Sequence, residues 1–147
     1  MKCFRNLLIA LFMVWAFLPV LAQRQDLKFQ QLGTENGLSQ TNVICILQDS
    51  KGFMWFGTRN GLNKYDGYKF TVYKNDPINA NSLSHNTIMD IAEDAQGNLW
   101  IATNGGGLNK FDRNTETFVR YQHSRFNPSS IANDNLVSLL IDHNGNL

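Results

Sequence analysis

The sequence predicts an all-β fold: β-propeller blades of four antiparallel strands, in an incomplete ring of about two and a half repeats. Three observations lead there. A long motif occurs twice, "GFMWFGTRNGLNKYDG" from Gly52 and "GNLWIATNGGGLNKFDR" from Gly97. The segments within each copy are short, apolar and rich in aromatic and β-branched residues, with no helical period. Turn signals bound them, Asp-x-x-Gly above all.

The copies fall into step when Asp49 is set on Asp94. Gly52 then meets Gly97, Trp55 meets Trp100 and Thr58 meets Thr103, each pair 45 residues apart. One extra glycine in "NGGG" moves Gly61-Leu62-Asn63-Lys64-Tyr65-Asp66 onto Gly107-Leu108-Asn109-Lys110-Phe111-Asp112. A third copy opens at "IDHNGNL", where Asp142 and Gly145 lie 48 residues beyond Asp94 and Gly97. A fixed period in the forties marks a repeat architecture.

Each copy supplies four strand candidates in the same order. "NVICILQD" and "NTIMDIAED" are apolar runs of strand length, followed by "MWFGT" and "LWIAT". Next come the alternating "LNKYD" and "LNKFD", then "FTVYK" and "FVRYQ". The first two are joined through "DSKG" and "DAQG", whose glycine supplies the positive φ of a tight hairpin. Phe-x-x-Tyr ends both copies (Phe70 and Tyr73, Phe118 and Tyr121), and Phe29 and Leu32 form a weaker version ahead of the first. Phe29 to Leu32 is therefore expected to be a fourth strand that completes the last blade of a ring.

The expected organisation is a signal peptide over 1–22, a ring-closing strand and lead-in over 23–40, blade 1 over 41–86, blade 2 over 87–134 and a truncated blade 3 over 135–147. Lys2 and Arg5, the apolar run Leu7 to Leu18 and the small residues Val20 and Ala22 have the layout of a secretory signal cut after Ala22. The run is short of the about 20 residues of a membrane span, which favours cleavage over retention as an anchor. Cys3 would leave with the signal, so a lone Cys45 builds no intramolecular disulfide. A formal net charge of +1 gives no reason to expect nucleic acid. Blades gain their core by stacking, and about three or more are needed for stability. Residues 23–147 alone are accordingly expected to fold poorly or self-associate.

Most repeated residues read as framework. Trp55 and Trp100, once per blade in mid-strand, are expected to pack one blade on the next rather than stack on a ligand. Asp49, Asp94 and Asp142, with Gly52 and Gly97, recur at one turn position, where Asp bonds its own backbone two residues on. Cys45 aligns with Asp90 and Ser138 and is expected to be an inert small residue. His85, His123 and His143 do not repeat and have no second ligand at metal spacing. No catalytic residue, metal site or cofactor is predicted, and the chain is expected not to be an enzyme.

Two loops per blade vary instead. One is Arg59-Asn60 in the first copy and Asn104-Gly105-Gly106 in the second; the other is "NDPINANSLSHN" and "HSRFNPSSIAND". Binding residues usually occupy such loops on a rigid scaffold. Arg59, Asn60, His85 and Asn104 are the candidate ligand-binding residues, suited to polyols or carboxylates.

The stretch "GLSQTNVICILQDSKGFMWFGTRNGLNKYDGYKF" closely resembles the two-component regulator propeller repeat. The pattern is met by Gly37-Leu38-Ser39, Asp49, Gly52, Trp55-Phe56-Gly57-Thr58, Gly61-Leu62, Tyr65-Asp66 and Phe70, and the second copy departs at Ala102, where the family has glycine. The resemblance implies the N-terminal part of a periplasmic, ligand-sensing propeller of a hybrid two-component regulator. Its ligand would be an oligosaccharide. Its partners would be the remaining blades, a downstream kinase region and a second copy in a homodimer, with no nucleic acid contacted by this segment. A propeller enzyme resembling streptogramin lyase, or a truncated gene product without independent function, are the alternatives.

Overall fold

The computed structural model describes residues 28–147, of which Gln31–Leu147 form one compact unit. The expected signal peptide and the start of the lead-in lie outside the described residues. Eight strands form two four-stranded antiparallel sheets. The first holds β1 (Val43–Gln48), β2 (Met54–Thr58), β3 (Gly61–Tyr65) and β4 (Phe70–Tyr73), in that order. The second holds β5 (Ile88–Glu93), β6 (Leu99–Thr103), β7 (Leu108–Asp112) and β8 (Thr117–Tyr121). Each sheet is one blade, built from the four segments expected of it. Among the described residues no helix is long and apolar enough to cross a membrane.

The first hairpins close as the repeated aspartates require. Asp49 Oδ1 accepts the amides of Lys51 (3.0 Å) and Phe53 (2.9 Å). Asp94 Oδ1 accepts those of Gln96 and Asn98, and Asp142 Oδ1 those of Asn144 and Asn146. Gly52, Gly97 and Gly145 follow at φ 87, 80 and 81°, a region in which a Cβ is disfavoured. The third copy thus repeats the turn, although residues 136–141 before it form no strand among the described residues.

The strand expected over Phe29 to Leu32 is not formed. A strand exists through its ladder, and neither sheet contributes a partner to these residues. Phe29 is 91% exposed. The chain instead makes a single 3-10 turn over Thr34–Asn36, held by the Gly33 amide donating to Asn36 Oδ1 (2.9 Å) and ended by Gly37 at φ 103°.

The two sheets pack face to face, with β5 against β1 and β2. Trp55, Leu62, Leu83, Ile88, Ile91, Leu99, Ile101, Phe111 and Phe118 make one buried cluster. The Trp55 ring meets Phe111 of the second blade edge-on at 5.3 Å. Tyr73 meets Phe111 at 5.2 Å and Phe118 at 5.8 Å. These offset aromatic pairs add to the area they bury.

Each blade also carries a polar lock on its lead-in. The buried Asn63 accepts the Ser39 amide at Oδ1 (2.8 Å) and donates to the carbonyls of Phe56 and Gly61. Asn109 does the same for Ser84, accepting its amide (3.0 Å) and donating to its Oγ (2.7 Å). Thr58 and Thr103 donate to Gly61 and Gly107 across the β2–β3 and β6–β7 turns. These locks fix the face on which the variable loops stand.

Candidate functional site

Both first strands carry a β-bulge at the same place. The β1–β2 register slips between Val43 and Cys45, and the β5–β6 register slips between Ile88 and Asp90. Ile44 and Met89 are the extra, unpaired residues. A bulge bends its strand and re-aims the side chain it frees. Here Ile44 and Met89 both line a groove of about 480 Å³ between the blades. Asn42, Arg59, Thr87 and Asn104 complete the lining.

The six residues form three repeat-equivalent pairs: Asn42 with Thr87, Ile44 with Met89, and Arg59 with Asn104, each 45 residues apart. The two blades therefore present the same three positions to one mouth, an apolar pair with polar groups around it. None of the four polar side chains makes a hydrogen bond among the described residues: the bonds that Arg59, Thr87 and Asn104 make there use their backbone amides and carbonyls. Their donors and acceptors are open to a ligand.

The variable loops stand on this face, as the sequence suggests. The Gly61 amide donates to Asn86 O, Asn104 N to Thr87 O, and Gly105 N and Gly107 N to Asp134 O. Gly61 thereby ties the β2–β3 turn, and Gly105 and Gly107 the β6–β7 turn, to the segment that follows their own blade, while Asn104 ties the latter turn to the entry of its own blade. Of the four expected binding residues, Arg59 and Asn104 line the groove together. Asn60 stands beside it with its side-chain amide donating to Ser39 O (3.0 Å). His85 Nδ1 accepts the Thr87 amide (3.1 Å), and its ring lies by Gly105. Both hold the mouth in shape.

Sequence reasoning passed over Asn42, Ile44, Thr87 and Met89, because it sought binding groups in loops and these stand where a strand begins. The signal was the repeat itself: two columns at the head of the first strand that differ in polarity or size while the frame around them stays fixed. A second omission is Arg113. Its Nη1 donates to Asp49 Oδ2 (2.6 Å), its Nη2 to Glu93 Oε1 (2.8 Å) and its Nε to Gly97 O (2.7 Å). Asp49 Oδ2 also accepts the Trp55 indole N–H (2.8 Å). Burial alone would push the Asp49 carboxyl up, but the bonds from Arg113, Trp55 and Phe53 outweigh it and hold it below 3.8. The role of this corner is to join the blades.

A larger hollow, about 670 Å³, lies over the second sheet and is lined by Ser50, Lys51, Gln96, Lys110, Arg113 and Tyr121 among others. Its lining also comes from both blades, and the smaller groove differs from it in standing on the face of the variable loops, with Arg59 and Asn104 in its lining. Among the described residues no cluster of three or more His, Cys, Asp or Glu could hold a metal ion.

Comparison with known proteins agrees with the propeller fold. The two-component regulator propeller family matches residues 37–60 and 82–105, the lead-in and first two strands of each blade. Histidine kinase P4 of Formosa agariphila is 41% identical over 80 residues, which are 53% of this chain and 6% of that protein. Among solved structures, the extracellular domain of the hybrid two component system BT3049 from B. thetaiotaomicron superposes with TM-score 0.66 at 37% identity. That match covers 72% of this chain and 15% of the other. The extracellular domain of BT4673 from the same organism, also described as a hybrid two component system, gives TM-score 0.52 at 32% identity over 65% of this chain and 14% of that one. The chain thus spans no more than about a sixth of the length of these relatives.

Proposed function

From the premise that the chain carries two-component regulator propeller repeats, we propose that it forms part of the ligand-reading propeller of a hybrid two-component sensor, on the outer side of the membrane, with the kinase elsewhere in a longer protein. We propose further that the groove between its blades receives an oligosaccharide. The extracellular domains among its structural relatives support the location. The lining of the groove carries the choice of ligand. A pyranose ring has C–H faces and a hydroxyl rim, and the groove pairs Ile44 and Met89 with the amides of Asn42 and Asn104 and the hydroxyl of Thr87. The amides, the hydroxyl and the apolar pair are groups that bind and orient a polyol.

The test is calorimetry on the complete sensor with Asn42, Thr87 and Asn104 changed together to alanine. Three neutral hydrogen bonds lost at about 1 kcal/mol each predict a weakening of oligosaccharide binding of roughly a hundredfold. Thermal unfolding should not move, because none of the three side chains bonds within the described residues. Unchanged affinity would remove the groove from the site, and a sensor that binds no oligosaccharide would remove the ligand class.

A further inference from the structure

Resting on the oligosaccharide reading, we propose that the ligand is anionic and that Arg59 receives its carboxylate or sulfate. Arg59 is the one charged residue of the six that line the groove. Its guanidinium makes no ion pair or hydrogen bond among the described residues. Arg113 and Arg120 of the second blade behave differently, while Arg125, in its outgoing loop, makes no such bond among the described residues and lies outside the groove lining. Arg113 is engaged by Asp49, Glu93 and Gly97, and Arg120 donates to the carbonyls of Ser82, Asn79 and Leu83. The salt bridges among the described residues are Lys64–Glu116, Arg113–Asp49 and Arg113–Glu93, and none involves Arg59.

The fork of Arg59 therefore stands at the rim of a groove that holds no carboxylate of its own. A guanidinium presents five donors in a plane, which suits two oxygens of a carboxylate or sulfate. A neutral sugar settling on it would desolvate the cation and return only single hydrogen bonds. The repeat supplies a direction as well. The equivalent position in the second blade is the neutral Asn104, so the charge lies on one side of an otherwise paired mouth. One acidic substituent at the Arg59 side, and neutral hydroxyls at the Asn104 side, is the pattern this mouth accepts.

The experiment titrates the complete sensor with matched pairs: oligogalacturonate against its methyl ester, and a sulfated galactan oligosaccharide against its desulfated form. The charged member of at least one pair should bind about tenfold to a hundredfold tighter. Which pair shows it tells carboxylate from sulfate. Arg59→Ala should erase the difference between charged and neutral members, Arg59→Lys should keep part of it, and added salt should weaken the charged member more than the neutral one. Equal binding within both pairs, or a preference that survives Arg59→Ala, overturns the inference. Binding of neutral members alone overturns it while the oligosaccharide reading stands, and binding of no member removes both.

Discussion

Trp55 and Trp100 occupy the same position of the same repeat and live in different surroundings. Trp55 is fully buried, with Tyr73 stacked beside it and Phe111 of the next blade standing edge-on to it. Trp100 is half-buried, with Tyr121 at 5.8 Å and the Lys110 ammonium 5.3 Å over its ring. Its companion Tyr121 is 42% exposed. Both indoles still donate to their own turn aspartate, Trp55 to Asp49 and Trp100 to Asp94. The bond within the blade forms whether or not anything covers the face. The difference in burial comes from the neighbouring blade, which is the physical meaning of a repeat that cannot complete its core by itself.

The largest effect should separate the two tryptophans. Trp55→Ala removes a buried ring from the seam between blades and should cost about 3–5 kcal/mol. Trp100→Ala in the 147-residue chain should cost less, about 2 kcal/mol, since its ring is only partly buried and meets no aromatic ring of another blade among the described residues. Urea unfolding measures both. Equal losses would mean that Trp55 is not held by the second blade. If a further repeat covers Trp100 in the complete sensor, its cost there should rise to that of Trp55.

The next effect concerns what joins the blades. Arg113 reaches from the second blade to Asp49 and Glu93, while Ser50 of the first donates to Glu93 through its amide and its hydroxyl, both at 2.7 Å. Arg113→Ala should cost about 2 kcal/mol, since it strips charged hydrogen bonds from a carboxylate that stays buried. The pH dependence arises at Asp49. Its carboxyl is held below 3.8 in the folded chain, so the stability it contributes is present above that pH and is lost as pH falls through the folded value. Acid unfolding between about pH 5 and 2 should therefore be steeper in the parent than in Arg113→Ala. Parallel curves would show that Arg113 does not set the charge state of Asp49.

How much of this was legible in the sequence depends on whether a feature is local and whether it repeats. The eight strands and the aspartate turns are both, and they stand where the sequence puts them. The Asp49–Trp55 bond was legible in principle, as an aspartate six residues before a tryptophan in each copy, but its meaning needs the hairpin register. Arg113 does not repeat: the first copy has Gly67 after its Tyr-Asp, so no column pointed to it. The bulges were hidden, because an extra residue exists only relative to a partner strand. Ile44 and Met89 reach the groove through those bulges, and with Asn42 and Thr87 they make four of its six lining residues that a reading confined to loops does not reach. Of the four loop residues that reading named, Arg59 and Asn104 line the groove, while Asn60 bonds Ser39 O and His85 accepts the Thr87 amide beside it.

The smallest effect is chemical rather than energetic, and it probes the seam from inside. Cys45 and Asp90 are equivalent residues on the first strands of the two blades, and Cys45 faces Gly57 across its own hairpin. A Cβ on Gly57 would run into Cys45 Sγ and into Ile88 of the next blade, so the thiol sits at a tight contact between the blades. Burial, with the Asp90 carboxylate adding to it and the Gly57 backbone offsetting part, pushes the thiol up to about 12. Very little thiolate is then present at about pH 8, and the thiolate is the reactive form. With Cys3 changed to Ser, a thiol reagent at that pH should label Cys45 at least about tenfold more slowly in the folded chain than in urea. The rate should rise in Trp55→Ala, which loosens the seam, and stay put in Trp100→Ala, which does not touch it. Fast labelling of the folded parent would show that the two blades part often enough to admit solvent to their shared face.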